Sequence, residues 1–112
     1  MQMNNNKTGI ITICKKAGKL AVGMDMVKKV CAEGSAAAVF ITTDISEKSF
    51  KEVRFSCAKN RVKLYRLEMT MDEMWYGLGK KAGIIAMTDH GFAKSCAKGL
   101  EQIQIDPDEF DI

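Results

Sequence analysis

Two stretches of this chain are apolar almost from end to end: residues 36–43 read AAAVFITT and residues 84–88 read IIAMT. Neither alternates apolar with polar residues, as a strand with one wet face does. A short unbroken apolar run bounded by turn residues fits a strand covered on both sides. Covering both sides of a sheet takes helices on both faces, and the segments between and around these runs have the helical period.

In chain order, Ile10, Ile13, Cys14 and Ala17 predict a helix over 7–17, with Asn5 or Asn6 as its cap and Gly18 just past its end. Leu20-Ala21-Val22 reads as a very short strand. A helix over 24–32 follows with Met24, Val27 and Cys31 inward, and Glu33-Gly34-Ser35 ends it. Asp44 or Ser46 caps the next helix, which buries Phe50, Val53 and Cys57. If Asp44 is the cap, Glu47 completes a capping box, and Asn60 ends the helix in the left-handed conformation. Residues 62–67, VKLYRL, alternate as a half-buried strand does. Thr70 and Glu73 form a capping box ahead of Met71, Met74, Trp75 and Leu78. Gly77 and Gly79 then break that helix, and Lys80-Lys81-Ala82-Gly83 make a basic, flexible loop. Asp89 caps a last helix with Phe92, Ala93 and Cys96 inward. The pattern gives one α/β domain over 1–105, and an acidic tail over 106–112, DPDEFDI, expected to be disordered or loosely docked.

Several function classes find no support. No apolar run approaches the ~18 residues of a membrane span, and MQMNNNK lacks the apolar core of a signal peptide. The expected location is the cytoplasm, with no membrane partner. Cys14, Cys31, Cys57 and Cys96 are far apart and form no C-x-x-C pair, so they read as reduced core residues and no metal site is expected. The phosphate-loop, dinucleotide and nucleophile-elbow motifs are absent. Asp89 and His90 read as a cap followed by a solvent-facing histidine, not as a catalytic pair. The expectation is a protein that is not an enzyme and uses no cofactor.

Charge is more informative. The formal net charge of +3 hides an asymmetry: 17 basic against ten acidic side chains before Asp106 give residues 1–105 a charge of +7, and four acids fall in the last seven residues. A basic body suits a polyanion, and the tail could shield it. The lysines gather about two glycine-flanked segments. In 17–29, AGKLAVGMDMVKK, Gly23 opens a helix whose first N–H groups lack partners, a place where phosphate docks. Lys15, Lys16 and Lys19 lie near this segment and Lys28 and Lys29 one turn into the helix; Lys80 and Lys81 lie in the second loop. If both loops share one end of the sheet, they form a cationic cleft floored by Ala82, Ile84 and Ile85. Such a cleft can hold an RNA backbone and cover an unstacked base.

The segments KKAGKLAVG, AVFITTD, LGKKAGIIAMTD and HGFAK, spread over roughly Gly9 to Lys98, together resemble the L-seven-Ae/L-thirty-e ribosomal protein family, the kink-turn RNA binders, and most closely its small stand-alone bacterial members. The resemblance implies a three-layer α/β/α sandwich around a mixed four-stranded sheet, L-thirty-e-like. It implies a partner in structured RNA, ribosomal or from a messenger leader, with ribosomal proteins as further partners. The RNA contact would fall on Lys19, Gly23, Met24, Asp25, Met26, Lys28, Lys29, Lys80, Lys81, Ala82, Gly83, Ile84 and Ile85. In the family's kink-turn readers the second helix opens G-x-N-E-x-x-K. Here Gly23 and Lys29 match, while Asp25 and Met26 replace the Asn and Glu. A carboxylate cannot donate as an amide does, and a thioether accepts only weakly. Loss of one bidentate base contact costs about 1–3 kcal/mol of discrimination, so altered or lower specificity is expected. The competing expectation is a protein-interaction or ribosome-assembly module of the same fold, with Met24 and Met26 as an adaptable surface.

Overall fold

At the centre of the fold, the two apolar runs pair with each other. The computed structural model describes residues 7–110; the expected caps Asn5 and Asn6 lie outside them. Its elements are α1 (Thr8–Lys16), β1 (Leu20–Val22), α2 (Met24–Ala32), β2 (Ala38–Ile41), α3 (Glu47–Asn60), β3 (Leu64–Arg66), α4 (Met71–Leu78), β4 (Ile84–Met87), α5 (His90–Ala97) and β5 (Glu101–Ile103), followed by a 3-10 turn at Pro107–Phe110. The sheet order is β1-β4-β2-β3-β5. β2 and β4 run antiparallel, with Ala38 opposite Met87 and Ile41 opposite Ile84. β1 pairs antiparallel with β4. β3 lies parallel to β2, a pairing that needs a crossover, which α3 supplies.

All eight residues of β2 and β4 are buried, and they alternate between two cores. Phe40, Ile85 and Met87 pack under α1, α4 and α5 with Ile11, Met74 and Cys96. Val39, Ile41, Ile84 and Ala86 pack under α2 and α3 with Val27, Cys31, Val53 and Cys57. Burying one large apolar side chain contributes about 1.5–3 kcal/mol, and the two central strands bury such groups on both faces. The architecture is an α/β protein with helices on each side of a mixed sheet. The four cysteines are free and buried. Burial pushes the Cys14 thiol up to about 11 and the Cys96 thiol up to about 12. The Cys57 thiol is pushed up by its hydrogen bond with Cys31 and by burial.

Among the described residues the sheet has five strands, not four. β5 pairs antiparallel with β3, Gln102 opposite Tyr65. It is three residues long, and two of them, Glu101 and Gln102, are exposed, so no apolar pattern announced it. Of the two expectations for the acidic tail, its described part, residues 106–110, fits the docked one, and it docks away from the lysine loops. Within the described residues it folds as the 3-10 turn against α3. There Glu109 ion-pairs with Arg54, Phe110 meets Phe55 edge-on at 5.7 Å, and the Arg54 guanidinium lies 5.4 Å from the Phe110 ring.

Caps differ in detail. Ser46 caps α3, its hydroxyl accepting from the Ser49 N–H. Asp44 instead accepts from the Met71 N–H at 3.0 Å, joining the ends of β2 and α4, and the Asp44–Glu47 box does not form. Arg61, not Asn60, is left-handed, at φ 58°; Asn60 stays helical and donates to the Ser56 carbonyl. The Thr70–Glu73 capping box and the Asp89 cap form as read. Gly77 stays inside α4 against Ile11 and Thr12 of α1, and Gly79 ends the helix.

Two stability outcomes are expected. The Thr42 hydroxyl is fully buried with no hydrogen-bond partner, so Thr42→Val should stabilise by about 1 kcal/mol and raise Tm by roughly 4 °C, read by calorimetry. Phe110→Ala should cost about 1 kcal/mol and lower the urea midpoint; an unchanged midpoint would mean that the tail turn does not hold to α3.

Candidate functional site

The lysine-bearing segments meet because β1 and β4 are antiparallel: β1 ends where β4 begins. The Gly23 N–H donates to the Ile84 carbonyl at 3.0 Å, and the Thr42 N–H to the Gly83 carbonyl at 3.0 Å. The start of α2, the end of β2 and the 79–83 loop therefore form one rim of the sheet. Gly23 stands at φ 92° and ψ 159°, a conformation open to glycine alone. It lets the chain leave β1 and enter α2 with Asp25 in the first turn, where a carboxylate complements the helix dipole.

The thirteen expected contact residues separate into groups. Met24 is half-buried, and Asp25, Met26 and Lys29 are exposed at the head of α2. Met26 is 47% exposed, a thioether in water. Lys28 is tied to Glu52 of α3 at 2.7 Å and Lys81 to Asp72 of α4 at 2.9 Å. Their side-chain hydrogen bonds to these carboxylates raise both ammonium pKa values, so both stay charged but partly neutralised. Lys29 and Lys80 have no such partner among the described residues. Ala82 and Gly83 are half-buried at the rim. Ile84 and Ile85 are core residues, 5% and 0% exposed, in opposite layers; they give the rim only backbone.

Lys19 does not join the group. Its carbonyl accepts from Thr88 at the far end of β4, about 13 Å along the strand from Gly23. The Lys15 ammonium donates to the Leu78 carbonyl at the end of α4, beside the start of the 79–83 loop. Of the expected contact residues, the cations on the segments that meet at the rim are Lys28, Lys29, Lys80 and Lys81, two of them paired. Beneath the 79–83 loop, the Thr42 hydroxyl and the Met71 sulfur lie 3.4 Å and 3.3 Å from where a Gly83 side chain would begin.

Two exposed aromatics on α4 complete the neighbourhood. Trp75 is 55% and Tyr76 is 78% exposed. In MDEMWYGL the i, i+4 pair Met74 and Leu78 takes the buried stripe, which turns Trp75 outward. That spacing was the signal available in the sequence. Among the described residues, no three His, Cys, Asp or Glu gather as metal ligands, and no helix is long and apolar enough to cross a membrane.

The chain matches no protein-family model and no curated protein. Among solved structures it is similar to a protein of unknown function from Bacillus halodurans C, with a TM-score of 0.76 and 18% identity over 85% of this chain and 96% of that one. Identity at that level shows a common fold and nothing about activity. What fold and rim define is a class: an α/β protein with a five-stranded mixed sheet and a lysine-bearing rim at one end of it.

Gly23→Ala should destabilise by about 1–3 kcal/mol, although a methyl group there meets no atom within 4 Å. Urea unfolding checks it: a loss that small-residue packing cannot explain isolates the backbone strain.

Proposed function

We propose that the protein binds structured RNA across this rim, as an L-seven-Ae/L-thirty-e-type protein with altered kink-turn specificity. The observation that carries the reading is the Gly23–Ile84 hydrogen bond, which joins two glycine-flanked lysine segments sixty residues apart at one sheet end. In this reading the exposed start of α2 takes phosphate, Lys29 and Lys80 take backbone or base edges, and Ala82 and Gly83 allow close approach of an unstacked base. Asp25 repels phosphate locally, and Met26 supplies apolar contact without base readout. Binding of this kind is largely electrostatic and falls steeply with salt.

Exposed Met26, Trp75 and Tyr76 beside a half-neutralised cation set favour a second reading: a protein-interaction or ribosome-assembly module with the same rim.

A titration with a kink-turn RNA, and with a matched RNA whose G·A pairs are replaced by Watson–Crick pairs, separates the readings. Preference for the kink-turn, weakened about tenfold by Lys29→Gln, is the expected outcome. Equal weak binding to both RNAs, abolished at raised salt, would favour the protein-interaction reading.

A further inference from the structure

At the opposite end of the sheet lies a groove of about 780 Å³, within the range of small-molecule sites. One wall is α5, where His90 and Lys94 lie one turn apart, and Lys98, the residue that ends the helix, lines the groove after them. Lys63, just ahead of β3, lines the groove with them, and Ala38 of β2 makes part of its floor. Among the described residues, no aspartate or glutamate lines it. The ion pairs of Lys28, Arg54 and Lys81 involve none of these three lysines. Like charges gathered around one groove repel, and an anion among Lys63, Lys94 and Lys98 relieves that. The nearest cap carboxylate, Asp89, is already engaged by the Phe92 N–H, which leaves the Lys94–Lys98 side of the groove as its anion-accepting end.

Tyr65 adds a different chemistry. It lines the same groove, and its ring is held by stacking on fully buried Phe40, with centroids 5.5 Å apart and planes at 21°. A ring fixed in this way, with Phe40 its one aromatic partner among the described residues, is a platform on which a planar base can stack, and the lysines lie around the same space. We infer that this groove binds a nucleotide unit, its base against Tyr65 and its phosphates among Lys63, Lys94 and Lys98. The unit is either a free nucleotide or one residue of a single strand. The inference does not rest on RNA binding at the Gly23 rim.

The test uses full-length, isotope-labelled protein titrated with ADP, with pyrophosphate and with a ten-nucleotide single-stranded oligoadenylate, followed by amide resonances. The expected result is saturable shifts confined to α5, the start of β2 and Tyr65. Binding should weaken roughly tenfold in Tyr65→Leu and persist in Tyr65→Phe. The exposed pair Lys94→Gln with Lys98→Gln should lose binding without loss of fold, and Lys51→Gln on the exposed face of α3 should change nothing. Shifts with ADP identify a free nucleotide; shifts with the oligonucleotide but not ADP identify a strand. Pyrophosphate binding as tightly as ADP, or no saturable shift in the groove with ADP or oligoadenylate, would overturn the inference.

Discussion

The pairing of β2 with β4 is the constraint on which everything else depends. Each strand is four residues long and buried throughout, so their hydrogen bonds lie where water cannot compete and their side chains must be received on both sides. That requirement divides the helices into two layers. It also sets where function can lie, because the middle of the sheet is sealed and only its two ends are open. At one end Ile41 meets Ile84, and the chain passes directly into Thr42 and Gly83. At the other, Ala37 donates to Met87 and the groove beside α5 begins.

Most of this was legible in the sequence, for one reason: the elements that bury their residues leave a pattern. The unbroken runs gave β2 and β4, the period of four gave α2 and α3, and Thr70–Glu73 and Asp89 marked two helix starts. What escaped was held by backbone. β5 pairs through its peptide groups while exposing Glu101 and Gln102, so its composition carries no sign of a strand. Arg61 takes the left-handed turn although asparagine stands one place earlier, because the side chain of Asn60 is used on Ser56. The tail looked detachable by composition, yet one arginine and two phenylalanines settle it.

The meeting of the two lysine-bearing segments was legible in the sequence, and the placement of their side chains was not. Charge and glycine spacing picked the two segments that the sheet brings together. They could not tell which lysines reach the rim. A three-residue strand is long enough to send Lys19 to the far end, and the carboxylates that hold Lys28 and Lys81 come from helices distant in sequence. Nor does spacing alone distinguish an apolar wall from the core behind it, as Ile84 and Ile85 show. The likeness to a solved structure adds the fold to this account, and the chemistry still has to be argued from the side chains.

Both borders of the sheet are cut short. β1 and β5, the outermost strands, have three residues each, too few peptide groups to template another chain. The exposed Glu101 and Gln102 make one border polar, and Asp106 and Pro107 follow soon after. Long, flat, apolar borders invite neighbouring molecules to add strands. This chain keeps its most β-prone sequences in the middle of the sheet. Its central strands can therefore be as hydrophobic as a membrane segment of their length without making the folded molecule prone to assemble into fibres.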